Sequence, residues 1–157
     1  MSIRCSRVRS KGELRADHST GVDRWGTPRA PFKDRPMSLP TQPDELLLLH
    51  NPRCSKSRQV KALLQERGVD FVERRYLEDA LDSEELTDLG GRLGQPTSEW
   101  VRSRESAFAE NGLSMQSDEA DLIVAVAANP ILMERPILIR GQEARVGRPP
   151  ESVLTLL

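Results

Sequence analysis

Apolar residues recur in a regular way only from Leu46 onward. Leu46-Leu47-Leu48-Leu49 is a short continuous apolar run, the pattern of a strand buried on both faces. Val60, Leu63 and Leu64 follow at i, i+3 and i+4, the spacing of an amphipathic helix, and Gly68 stands where such a helix stops. Residues 69–76 carry Val69, Phe71, Val72 and Tyr76 and read as a second strand. Strand, helix and strand with short connections make a βαβ unit, so these two strands are expected to be parallel.

Asp82 with Glu85 three residues on has the form of a capping box, with Asp in place of Ser or Thr. Leu86, Leu89 and Leu93 mark the helix it starts, which Gly90-Gly91 are expected to interrupt or end. A short helix is expected to carry Trp100 and Val101. Residues 118–128 form the clearest later helix, with Ala120, Ile123, Val124 and Ala127 on one face and Asn129-Pro130 as the stop. Pro136 opens an apolar strand, Ile137-Leu138-Ile139. Gly141-Gln142 fit a two-residue hairpin turn, and Glu143–Val146 returns as an antiparallel strand. Pro149-Pro150 start a last helix containing Val153, Leu154, Leu156 and Leu157. A parallel pair, a helical middle and an antiparallel pair predict an α/β fold: a thioredoxin-like sandwich with a mixed four-stranded sheet and a helical insertion.

Residues 1–43 lack any such pattern. They hold five of the eleven prolines and few apolar residues, too little to offset the entropy of ordering, so they are expected to be a disordered leader ahead of a domain over 44–157. Met37 lies directly before the globular pattern, and one reading is that translation begins there. Charge divides along the same line. Residues 1–36 carry nine Lys/Arg against four Asp/Glu, a net +5, and the remainder carries 14 against 20, a net −6. A net-acidic body argues against nucleic acid as the main partner. No apolar run is long enough to span a membrane, and the N-terminus has no secretory apolar core. Its Arg-rich character has a trace of a transit peptide, against which the scattered prolines and glycines weigh. Two cysteines, Cys5 and Cys54, make no disulfide framework, and a reducing cytoplasm is the expected setting.

The chemistry concentrates between His50 and Arg58, read as His50-Asn51-Pro52-Arg53-Cys54-Ser55-Lys56-Ser57-Arg58. Cys54 falls where the first strand hands over to the first helix. Free N–H groups at a helix start favour a thiolate and can hold an anion. Arg53, Lys56 and Arg58 add positive potential, His50 a donor if its ring faces the loop, and Ser57 a hydroxyl about one turn along; each favours ionisation. The competing reading is a small buried filler. Ser57 stands where a Cys-x-x-Cys pair needs its second cysteine, which closes the dithiol route. Val60 stands where a Cys-x₅-Arg phosphatase loop needs arginine. With no second cysteine in the body, an oxidised or adducted Cys54 calls for an outside thiol. His50 and Cys54 alone do not make a metal site, and His18 reads as a solvated bystander.

Three segments together resemble the glutaredoxin-linked arsenate reductases, whose fold is thioredoxin-like. They are His50-Asn51-Pro52-Arg53-Cys54 with Ser57-Arg58; Val101-Arg102 with the acidic stretch from Glu105 to Leu113; and the run from Asn129 through Glu134-Arg135-Pro136-Ile137 to Arg148-Pro149. The resemblance covers residues 46–157. It implies that Cys54 is the nucleophile that forms a thiol–arsenate ester, that Arg102, Arg135 and Arg148 hold the oxyanion, and that His50 and Ser57 help to depress the thiol pKa. It implies a cis-proline at Pro136, no tightly bound cofactor, glutathione as co-substrate and glutaredoxin as the partner that releases the reduced product, in arsenic detoxification. Arginine suits a tetrahedral oxyanion because its planar fork offers paired donors and a permanent charge. Taken singly, Arg102 could be a solvated helix residue and Arg148 a fringe on the last helix; Arg135, before a proline at the mouth of an inner strand, is harder to place on the surface. Arg104, Arg140 and Arg145 read as surface charges. Ser55-Lys56 stand where relatives commonly have Gly-Thr, and the chain stops at Leu157, short of an extension many relatives carry, which points to a short subgroup. Two other functions fit parts of the pattern. One is a regulator of the same fold that docks on RNA polymerase, usually through a Cys-x-x-Cys switch. The other is a glutathione-linked thiol oxidoreductase acting on another substrate.

Overall fold

The computed structural model describes residues 38–157. The sequence-based expectations for residues 1–37, including most of the leader, Cys5, His18 and Met37, lie outside the described residues. The chain forms β1 (Leu46–Leu49), α1 (Ser55–Glu66), β2 (Val72–Arg74), α2 (Ser83–Leu93), α3 (Thr97–Trp100), α4 (Ser106–Glu110) and α5 (Glu119–Ala128). A 3₁₀ turn (Pro130–Leu132), β3 (Ile137–Arg140), β4 (Glu143–Val146) and a closing 3₁₀ helix (Pro150–Leu156) complete it.

The strand order is β2-β1-β3-β4. β1 runs parallel to β2 and antiparallel to β3, and β3 and β4 form the expected hairpin. β1 and β3 are central, which explains their uninterrupted apolar sequences: both faces are covered. Leu47 and Leu49 point with Ile137 and Ile139 into the larger core, beneath α2, α3 and α5. Leu48 and Leu138 point the other way, onto Val60 and Leu64 of α1 and Val153 and Leu156 of the last helix. This is the mixed four-stranded sheet and α/β sandwich that the sequence predicts.

Several elements depart from expectation. α2 runs through Gly90-Gly91 and stops at Gly94, which takes a left-handed φ of 65° and returns its N–H to the carbonyls of Gly90 and Gly91. The two glycines weaken the helix by about 1 kcal/mol each; burial of Leu86, Leu89 and Leu93 on the core outweighs this. The buried face of α5 is Leu122, Ile123, Ala125 and Val126, whereas Val124 is 60% exposed. β2 is shorter than residues 69–76, because the chain turns away after Arg74 with Glu78 and Asp79 N–H donating to the Arg75 carbonyl. The last helix is 3₁₀, and its buried residues Val153 and Leu156 stand three apart, one 3₁₀ turn.

The domain also starts before residue 44. Leu39 is buried in the larger core. Buried Arg92 donates from Nη1 to the carbonyls of Pro40 and Gly141, and from Nη2 to Asp88 at 2.6 Å. At Gly141 (φ 51°) a Cβ would sit 2.9 Å from Pro43 Cα, so this segment passes too close for any other residue in the hairpin turn. Arg140, read as a surface charge, binds the carbonyls of Pro43, Leu156 and Leu157.

Candidate functional site

The turn from Asn51 to Cys54 places the thiol. Buried Asn51 accepts the Arg53 N–H on its side-chain oxygen at 2.9 Å and the Cys54 N–H on its carbonyl at 3.0 Å. This Asx turn, set by Asn before Pro, delivers Cys54 to the N-cap of α1 with φ −90° and ψ 125°. Arg58 folds back and donates to the Pro52 carbonyl at 2.9 Å, so part of its charge serves to hold the turn. Cys54 is half-buried and carries a free thiol.

Burial alone would push the Cys54 thiol up. The N–H groups of Ser57 and Lys56, the Ser57 hydroxyl and the Arg135 charge outweigh it, and the thiol lies below its ordinary value. The helix start therefore acts on the sulfur as expected. Ser57 is fully buried, and among the described residues no oxygen or nitrogen accepts its hydroxyl, so the adjacent sulfur is the acceptor its rotating hydrogen can reach.

His50 is buried at the entry to this turn. Its ring is buried and its Nδ1 has no hydrogen-bond partner among the described residues. Burial lowers its pKa, Glu73 opposes that, and Lys61, Arg75 and Arg58 add to it. The ring is thus held neutral and brings no positive charge to the thiol; what it offers is confined to an N–H.

The three predicted arginines converge on one short segment. Val101 bridges to Met133, with Arg102 N–H donating to Leu132 O at 2.7 Å and Glu134 N–H to Trp100 O at 2.8 Å. That pairing sets Arg102 beside Glu134. Arg102 forms an ion pair with Glu105 through Nη1, and its Nε lies 4.0 Å from Glu134 Oε1. Arg148 Nε donates to the Arg135 carbonyl at 3.0 Å and lies 3.0 Å from Glu134 Oε2. The Arg135-Pro136 and Arg148-Pro149 bonds are both cis. Arg135 is the arginine with electrostatic reach to Cys54, and its Nε and Nη1 are buried with no acceptor among the described residues. Buried donors are normally satisfied, so Arg135 presents two N–H groups ready for an anion.

Sequence reasoning passed over three residues here. Tyr76 is fully buried next to Arg135 and Asn51, and its hydroxyl makes no well-formed hydrogen bond among the described residues. Burial raises its pKa against the lowering influence of Arg135, so it remains a neutral donor. Its aromatic character read only as strand. Glu134 adjoins Arg135 in the quoted motif, but nothing in its spacing shows that it bridges arginines. Asn51 carried a turn signal, Asn-Pro, that says how the cysteine is aimed. A groove of about 600 Å³ opens beside Glu134 and Arg148, walled by Gln95, Glu99, Arg145 and Ser152. Among the described residues no group of three or more His, Cys, Asp or Glu could hold a metal, and no helix is long and apolar enough to cross a membrane.

The structure is a thioredoxin-like α/β sandwich with a lowered-pKa cysteine at its first strand–helix turn, within electrostatic reach of Arg135. Residues 49–156 match the ArsC family, and the chain belongs to that family. It is 44% identical over 115 residues to the Escherichia coli protein YfgD, covering 72% of this chain and 97% of that one. It is 38% identical over 115 residues to an arsenate reductase of Neisseria meningitidis, covering 72% of this chain and 98% of the relative. A solved arsenate reductase from Vibrio cholerae superposes with a TM-score of 0.69 at 39% identity, covering 72% of this chain and 98% of that structure.

Proposed function

We propose that the protein reduces arsenate to arsenite through Cys54, with glutathione and glutaredoxin as the source of electrons, in the reducing cytoplasm. The observation that carries this reading is Arg135: two buried guanidinium donors without an acceptor among the described residues, with electrostatic reach to an acidified thiol. Such donors match a tetrahedral oxyanion whose central atom a thiolate attacks.

In this mechanism Cys54 thiolate attacks arsenic, and an arsenate oxygen leaves as water after taking up protons. Arg135, with Arg102 and Arg148, balances the charge on the remaining oxygens, and the Tyr76 hydroxyl donates from the same side. Glutathione, approaching along the groove beside Arg148, condenses with arsenic in the same way and releases a second water. Attack of a glutaredoxin thiolate on the glutathione sulfur leaves the electron pair on arsenic. This forms the glutaredoxin–glutathione disulfide and takes As(V) to As(III). Water then cleaves the Cys54–arsenic bond to free arsenite and the thiol. The absence of a second cysteine among residues 38–157 fits a route in which the oxidising equivalents leave on an outside thiol.

The test is turnover of arsenate by the full chain with glutathione, glutaredoxin and a reducing supply. Wild type should produce arsenite and Cys54→Ser should produce none. Full turnover by Cys54→Ser would overturn the proposal. Formation of a glutathione mixed disulfide at Cys54 without any use of arsenate would favour a thiol oxidoreductase with another substrate.

A further inference from the structure

Glu134 lies among the arginines of the proposed oxyanion site. Its Oε2 is 3.0 Å from Arg148 Nε and accepts the main-chain N–H of Arg135 at 3.3 Å, and its Oε1 is 4.0 Å from Arg102 Nε. A planar anion that contacts Arg148 and the Arg135 main chain and lies within ion-pair range of Arg102 occupies the place a bound oxyanion would take. The guanidiniums divide accordingly. The Glu134 carboxylate engages Arg148 and flanks Arg102, whose Nη1 pairs with Glu105, while Nε and Nη1 of Arg135 have no acceptor among the described residues. With Glu105 also paired to Arg102, two carboxylates stand against the three guanidiniums and offset most of the positive charge a doubly charged guest would need.

We infer that Glu134 is a built-in competitor for the oxyanion: it holds Arg102 and Arg148 until a guest displaces it, and its charge selects against dianions. This inference rests on the reading of the site as an oxyanion pocket. A guest first meets the open donors of Arg135, then replaces the Glu134 carboxylate on the other two arginines. The residue therefore sets specificity by charge rather than by shape.

The experiment measures protection of Cys54 from alkylation, followed by peptide mass spectrometry on the full chain, as sulfate, phosphate or perchlorate is added. Each protein is compared with its own anion-free rate. Glu134→Gln should lower the half-protecting concentration of sulfate and phosphate by roughly tenfold. The gain should be clearly smaller for perchlorate, a tetrahedral monoanion. Glu105→Gln, which removes the same charge from the other side of Arg102, should change these values by roughly threefold or less. Glu134→Asp keeps the charge but shortens its reach, and should fall between wild type and Glu134→Gln. Equal sulfate protection in wild type and Glu134→Gln, equal gains for sulfate and perchlorate, or a Glu105→Gln effect matching that of Glu134→Gln would each overturn the inference while leaving the pocket intact. Failure of every anion to protect Cys54 in any variant would overturn the oxyanion pocket itself.

Discussion

Arg148 Nε donates to the main-chain oxygen of Arg135 at 3.0 Å across a separation of 13 residues. One arginine thereby ties the loop after β4 to the backbone of the loop before β3. The side chain of Arg135 takes no part in this contact, which leaves its guanidinium directed at Cys54 and Tyr76.

Arg135→Ala should therefore damage anion use more than thiol chemistry. The apparent KM for arsenate is expected to rise and kcat to fall, for a combined loss in kcat/KM of roughly a hundredfold or more, as for removal of one oxyanion donor. Cys54 should remain alkylable, at a moderately slower rate at neutral pH because one charge that favours the thiolate is gone. Arg135→Lys should restore the charge but not the paired donors, and recover only part of kcat/KM. Steady-state kinetics alongside alkylation rates separate the two effects.

Ser57→Ala removes the hydroxyl beside the sulfur while leaving the α1 start and its N–H groups in place. The thiol pKa should rise, and alkylation of Cys54 at pH 7 should slow by roughly threefold to tenfold. Because Ser57 is fully buried with no oxygen or nitrogen partner, its loss should cost little stability. Thermal unfolding checks that second expectation.

His50 should make stability fall on the acid side. Its folded-state pKa lies below 6.5, so above that pH both folded and unfolded chains hold the ring neutral. Below it the unfolded chain takes up a proton that the folded chain refuses, and unfolding becomes easier as pH drops. His50→Gln should flatten this slope below about pH 6.5, as measured by urea unfolding from neutral pH downward.

Arg92 should prove structural. Its guanidinium, buried at 5% side-chain exposure, supplies the Pro40 and Gly141 carbonyls. Arg92→Met would leave both oxygens without that donor and should cost about 2–4 kcal/mol, read as a lower urea midpoint. Arsenate kinetics of the folded fraction should not change, since Arg92 binds the N-terminal segment and the hairpin, away from Cys54.

The sequence carries the frame of this fold plainly. A four-leucine run, a Gly-first hairpin turn and an Asp82/Glu85 capping box each have one local solution, and each is present, the box with Asp82 Oδ1 accepting the Glu85 N–H at 2.8 Å. What is less legible depends on distant partners. The residues of α5 are apolar almost all round, so spacing alone cannot choose the side that meets the core. Gly90-Gly91 read as a break because propensity is local, whereas Leu93 is held by packing. The thiol, Ser57 and Arg135 could be singled out from motifs; the neutral state of His50 and the bridge made by Glu134 could not. Both follow from which charges the fold brings together.

The central claim is that the Cys54 sulfur is ionised near neutral pH by the helix start, Ser57 and Arg135. The rate of Cys54 alkylation against pH, followed at that residue by peptide mass spectrometry, tests it most directly. The account predicts an inflection clearly below the ordinary thiol value of about 8.5, moving upward in both Ser57→Ala and Arg135→Ala. An inflection at or above that value in the wild type, unmoved by either substitution, would contradict it.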